Sequence, residues 1–124
     1  MNAWTTEELD RIGAADELQI AALDARGSLG RYTTIWVVRV GDDLYVRSVR
    51  GHRGAWYRHA VRARAGRIRA GGVERDAAFV DPGGVDHALI DQAYRGKYAG
   101  YSRDYVDPMV AQDAIAATLR LTPR

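Results

Sequence analysis

The segment from Thr33 to Val49 constrains the fold more than any other part of the chain. Thr33-Thr34-Ile35-Trp36-Val37-Val38-Arg39-Val40 is dense in β-branched and aromatic residues, which fit a pleated, half-buried surface. Gly41-Asp42-Asp43 follows as a turn, and Leu44-Tyr45-Val46-Arg47-Ser48-Val49 then alternates apolar and polar. The pattern predicts a β-hairpin and therefore a sheet whose edges must be paired or covered.

The remaining elements are arranged around it. Thr5 or Thr6 caps a short helix through Leu9 and Ile12, with Glu8 in capping-box position after Thr5. Leu18–Leu23 reads as a strand, and Arg26-Gly27-Ser28-Leu29-Gly30 as a loop. Ala55–Arg62 reads as a short helix. Gly66–Ala70 and Val73–Val80 form a second hairpin turning at Gly71-Gly72. Val85–Tyr98 is a helix that places Leu89, Ile90, Ala93, Tyr94 and Tyr98 on one apolar face. Gly100–Pro108 is an aromatic loop, Ala111–Ala114 a helical turn and Ala116–Leu121 a last strand. Hairpins interleaved with helices predict an α+β protein, and about six strands in a chain of this length bury their edges best by curling into a small antiparallel barrel. Its core is expected to contain Ile35, Val37, Leu44, Val46, Ile68, Phe79 and Leu119.

At 124 residues the chain suits one domain. No apolar run is long enough for a membrane helix. The start, Met1 to Glu8, lacks the basic patch and apolar run of a signal peptide. The absence of cysteine excludes disulfides, thiol catalysis and zinc–thiolate sites, and fits a cytoplasmic protein. The net charge of +2 hides an uneven distribution. Leu44–Val73 has no acidic residue but carries Arg47, Arg50, Arg53, Arg58, Arg62, Arg64, Arg67 and Arg69, so anions are natural partners.

Several chemistries lack their motifs. His52, His59 and His87 have no metal-ligand spacing, so no metal is expected. Ser28, Ser48 and Ser102 are outside any nucleophile elbow, and no phosphate-cradling glycine loop joins a strand to a helix. No recognition helix or RNA-binding motif accompanies the arginines, so nucleic acid is not the expected partner.

Two regions do carry chemistry. Arg47, Ser48, Arg50 and Gly51 end the hairpin with donors suited to phosphate, and Trp56, Tyr57 and Arg58 open the following helix, where free N–H groups favour anions. Trp56 is equally readable as a core anchor. In the second region Tyr94, Lys97, Tyr98, Tyr101 and Tyr105 crowd together. Lys97 and Tyr101 are the candidates to orient a substrate or donate a proton. Tyr94 and Tyr98 have helical spacing and also read as sheet packing. Asp86, His87 and Asp91 are expected on the exposed side of the same helix.

The runs Thr34–Ser48, Gly54–Arg58, Gly66–Asp76, Ile90–Tyr98 and Ala117–Leu121 resemble the bacterial domain of unknown function 2255 family across nearly the whole chain. The Asp43-Leu44-Tyr45-Val46-Arg47-Ser48 strand, the glycine loop and Trp56-Tyr57 also resemble, more distantly, the deazaflavin-dependent nitroreductases. These belong with the pyridoxamine-phosphate oxidases to the flavin-binding split β-barrel superfamily. The resemblance implies a six-stranded split barrel with flanking helices and, often, a homodimer. It implies a cofactor phosphate near Arg47, Ser48 and Gly51, beside the helix opened by Trp56-Tyr57-Arg58-His59. Those proteins usually carry Asn where His59 stands, and their basic loop corresponds here to Arg26-Gly27-Ser28-Leu29-Gly30-Arg31. The expected function is therefore a reductase that binds FMN or a deazaflavin coenzyme and transfers hydride to an electron-poor small molecule. The alternative is a cofactor-free barrel that binds, cyclises or isomerises a small molecule in a pocket lined by Trp36, Tyr94, Tyr98 and Tyr101. Tyr105 is a further substrate-side candidate.

Overall fold

A computed structural model describes residues 3–124. Met1 and Asn2, which begin the stretch read as lacking a signal peptide, lie outside the described residues. The elements in chain order are α1 (Thr6–Ala14), β1 (Leu18–Ala22), β2 (Thr33–Ile35), β3 (Val38–Val40), β4 (Asp43–Arg47), α2 (Ala55–Ala63), β5 (Ala65–Ala70), β6 (Val73–Val80), α3 (His87–Lys97), α4 (Arg103–Val106), α5 (Gln112–Ala116) and β7 (Thr118–Pro123). The strands form one seven-stranded sheet in the order β2-β1-β5-β6-β7-β4-β3, antiparallel throughout.

β2 and β3 stand at opposite ends of that order, yet only Trp36 and Val37 separate them in the chain. Thr33–Val40 is thus one strand by composition that changes partners midway. Its first half pairs with β1 and its second half with β4. This carries the chain from one edge of the sheet to the other and closes the sheet into a split barrel. The expected count of six strands becomes seven for this reason. The expected hairpin partner of β4 is only Val38–Val40, and Ser48 and Val49 fall outside β4.

The barrel interior is filled by Leu18, Ile20, Val37, Leu44, Val46, Ile68, Phe79, Leu119 and Leu121, with Leu9 and Ile12 of α1 beneath. Six of the seven expected core residues are buried there, and Ile35, beside the split, is half-buried. The α1 capping box forms as expected, Thr5 Oγ1 accepting from Glu8 N–H and Glu8 Oε1 from Thr5 N–H. The β5–β6 turn needs both glycines, because Gly71 and Gly72 have φ of +57° and +82°.

A second core lies outside the barrel wall. Val38, Tyr45, Ile90, Tyr94, Tyr98, Val106 and Met109 pack together where α3 covers β3 and β4. β4 is therefore buried on both faces: Leu44 and Val46 point into the barrel, Tyr45 and Arg47 toward α3. α3 begins at His87, capped by Asp86, rather than at Val85, and Leu89 is exposed rather than on the packed face. The expected aromatic loop contains the helical turn α4, capped by Ser102.

Candidate functional site

A cleft of about 840 Å³ opens between α2, β1 and the loop that follows β1. Trp56, His59 and Arg62 line it from α2, and Asp24, Gly30, Arg31 and Thr33 from the loop and the start of β2. The loop holds its shape through Asp24, whose Oδ1 accepts from Arg26 N–H at 2.8 Å and Ser28 N–H at 2.9 Å. Gly30 N–H closes it onto Ala22 C=O at 2.9 Å. Arg62 donates to His59 Nδ1 at 2.8 Å. Neither Arg31 nor Arg62 has a carboxylate within salt-bridge distance among the described residues.

α2 starts without a side-chain cap. The first of its N–H groups to find a helical partner is Arg58, bonded to Gly54 C=O, which leaves those of Ala55, Trp56 and Tyr57 as donors. A Cβ on residue 54 would lie 2.3 Å from Ser48 Oγ, so any side chain there would displace that hydroxyl. Ser48 Oγ itself is buried without a hydrogen-bond partner, beside this first turn. Two guanidiniums and the Trp56 ring give the cleft the character of a site for an anionic, partly aromatic molecule.

Arg47, expected to meet a cofactor phosphate, is withdrawn into the second core, its side chain fully buried. It donates to Thr118 Oγ1 at 3.0 Å, to Met109 C=O at 3.0 Å, to the Asp91 carboxylate and toward His87 Nδ1 at 3.2 Å. The guanidinium also lies 5.5 Å from the centroid of the Tyr94 ring. The physical reason is strand alternation: Arg47 is on the outward face of β4, but α3 covers that face. His87 and Asp91, expected on the exposed side of α3, are the residues that receive it. Arg50 and Arg58 are exposed. Gly51 is buried against Asp113 with φ of +64°, and Tyr57 is half-buried and stacks on His52. Of the residues expected at a cofactor, Trp56 is the one that lines the cleft while also packing on the barrel core.

The second expected region divides differently. Tyr94 and Tyr98 are fully buried, and Trp36 stacks on Tyr98 with ring centroids 3.8 Å apart. They form packed core, and the expected aromatic pocket is closed by that stacking. The Tyr98 hydroxyl accepts from Val37 N–H at 3.2 Å and donates to Asp16 C=O at 2.8 Å. Burial raises the tyrosine well above its ordinary range, so it stays a neutral donor. Lys97 Nζ donates to Val37 C=O at 2.7 Å, and burial pushes the amine down to about 8. Tyr101 packs its ring near Trp36 and Tyr98, and Tyr105 is exposed. Neither lines the large cleft. Lys97 lines a separate groove of about 480 Å³ between α1, β3 and α3.

Sequence reasoning missed Arg31 and Arg62 as a pair, and the Asp91–Arg47 contact. Arg31 was visible as the end of the basic loop, but only the fold places it opposite α2. No cluster of His, Asp or Glu suited to a metal occurs among the described residues. Among the described residues no helix is long and apolar enough to cross a membrane.

The structure is similar to the conserved hypothetical protein Rv2991 of Mycobacterium tuberculosis, with a TM-score of 0.59, 13% identity and coverage of 99% of this chain and 81% of that one. A presumed 5-nitroimidazole antibiotic resistance protein of Bacteroides thetaiotaomicron gives a TM-score of 0.48 at 14% identity, over 99% and 81% of the two chains. The FAD and heme binding protein of Mycobacterium smegmatis gives 0.45 at 18% identity, over 95% of this chain and 65% of that protein. No curated protein matches the sequence. The pattern of one bacterial family does match, over residues 8–121, and the chain belongs to it: the family described as uncharacterized protein conserved in bacteria, DUF2255.

Proposed function

We propose that this protein is a small-molecule oxidoreductase that binds a phosphate-bearing flavin-type cofactor, FMN or a deazaflavin coenzyme, in the cleft beside α2. The observation that carries this reading is the pairing of unneutralised Arg31 and Arg62 across a cleft of about 840 Å³ floored by Trp56. That volume is within the ordinary range for sites of small molecules and cofactors. The donor set fits the group: Arg31 and Arg62 suit phosphate, and the indole offers flat apolar area to a ring system. Asp24 on the same wall holds the loop through the Arg26 and Ser28 N–H groups and keeps its single negative charge, which the two guanidiniums outnumber.

When bound, the cofactor would supply hydride to an electron-poor substrate, and the protein would supply position and electrostatics. Arg31 and Arg62 would anchor the charged tail from opposite walls. Trp56 would orient the ring. The Arg62 donation to His59 Nδ1 leaves the other ring nitrogen of His59 as the proton carrier available at this site.

The withdrawal of Arg47 into the core favours a second reading, in which the cleft binds a small anionic molecule without a redox cofactor. Titration of FMN and of a deazaflavin coenzyme, followed by fluorescence, tests the pair. Saturable binding of either supports the oxidoreductase. Failure of both, with binding of a small organic anion weakened by Arg62→Ala, supports the second reading.

A further inference from the structure

We propose that the outer face of α2, with the turn that precedes it, docks on an anionic phospholipid surface. Arg50 and Arg53 belong to that turn, Arg58 and Arg62 follow on α2, and Arg64 ends the helix; all five are exposed. Arg58 and Arg62 are four residues apart, so they share the helix face turned away from Trp56 and Ala60, which pack on the barrel core. His52 stacks on Tyr57 with ring centroids 5.5 Å apart, which holds the turn against the start of α2. The helix is about 13 Å long, so these charges are gathered within a short reach.

The charges on this face are left open. Elsewhere Arg11, Arg39, Arg67, Arg69, Arg75 and Arg95 each have a carboxylate within salt-bridge distance. None of the five arginines here has one among the described residues, although Asp113 packs on Gly51 and Asp81 acts on the Tyr57 hydroxyl. Like charges gathered without counter-charges repel one another, so a partner of opposite sign is what they suit. Guanidinium forks suit phosphate oxygens in particular.

Two apolar side chains choose the kind of phosphate. Val49, next to Arg50, is 52% exposed, and Val61, next to Arg62, is 44% exposed. Aliphatic groups set among arginines gain from the boundary between headgroups and acyl chains, whereas a nucleic-acid backbone offers them nothing. α2 keeps its apolar side on the barrel, so it lies on the lipid layer without entering it. Each arginine near an anionic surface raises affinity about fivefold, and the attraction fades within a Debye length. Several must therefore act together, and added salt must release the protein.

Co-sedimentation of the full chain with phosphatidylcholine vesicles, with and without about one third phosphatidylglycerol, tests the assignment. The expected result is binding only to vesicles that contain phosphatidylglycerol, reversed by high salt. Arg53→Ala combined with Arg58→Ala should weaken that binding by about 25-fold, fivefold for each arginine. Arg11→Ala combined with Arg95→Ala removes the same net charge from carboxylate-paired positions and should bind as wild type does. Val49→Ser combined with Val61→Ser keeps every charge and should weaken binding by about fivefold. All six residues are exposed, so each variant keeps the fold. No preference for phosphatidylglycerol, equal weakening by the two arginine pairs, indifference to the valine pair, or tighter binding of a DNA oligonucleotide than of the vesicles would each overturn it.

Discussion

The hydroxyl of Tyr98 accepts a hydrogen bond from the backbone N–H of Val37 at 3.2 Å, where the chain leaves one edge of the sheet for the other. Val37 has no strand partner for its peptide groups. Tyr98 takes the N–H, and Lys97 takes the C=O at 2.7 Å. Two adjacent residues at the end of α3 thus let the strand split without stranding a buried polar group. Tyr98→Phe keeps the ring stacked on Trp36 but orphans Val37 N–H and Asp16 C=O. It is expected to cost about 1–3 kcal/mol in urea unfolding, the range for an unsatisfied buried group. Tyr101→Phe, at an exposed ring, should leave stability unchanged.

Arg47 gives the opposite expectation to that of a ligand-binding arginine. Its removal leaves Asp91 facing a buried site without its cation. Arg47→Met should lower stability by about 3–5 kcal/mol, the usual result of breaking a buried ion pair from one side. Asp91→Asn should cost less, because the carboxylate is 29% exposed and partly screened. Thermal melts measure both. Ligand affinity of the fraction that remains folded should be unaffected by either substitution, since neither residue lines the cleft.

Lys97 sets a pH dependence whose sign follows from its environment. Burial lowers its folded-state pKa to about 8, below the ordinary lysine value of 10.5. Between those values the unfolded chain binds more protons, so stability from this group rises with pH across that window and is lost as pH falls through about 8. Lys97→Met removes the effect. The stability of wild type relative to Lys97→Met should therefore increase from pH 7 to pH 10, measured by urea unfolding at fixed ionic strength. A difference that is flat or falls with pH would count against the buried amine.

Arg64 ends α2 in the left-handed region, with φ of +62°, and is the one non-glycine residue with positive φ among those described. Its N–H bonds to Ala60 C=O and its C=O accepts from Phe79 N–H, so the conformation is held by both helix and sheet. Arg64→Gly should stabilise the protein by roughly 0.5–1 kcal/mol, the strain relieved less the added chain entropy.

Most strands were legible because alternation and turn chemistry act locally. The Gly71-Gly72 turn and the α1 capping box follow from a few adjacent residues. The split of Thr33–Val40 was not legible, because nothing in its composition changes at Trp36; the break is imposed by the two edges it must satisfy. Arg47 was misread for a related reason. Alternation correctly put it on the outward face of β4, but whether that face meets water or α3 is decided 44 residues away at Asp91. Trp56 was legible as an aromatic at a helix start, whereas Arg31 and Arg62 meet only through the packing of α2 on β1.

The most direct test of the proposed function is the affinity of FMN and a deazaflavin coenzyme for wild type, Arg62→Ala and Arg31→Ala, followed by ligand fluorescence at low salt. The account predicts saturable one-to-one binding of at least one of them by wild type. Each substitution should weaken it by about 10- to 150-fold, corresponding to about 1.5–3 kcal/mol for a hydrogen bond to a charged group, with apo-protein melting unchanged. Absence of binding by wild type, or affinities unchanged in both variants, would contradict it.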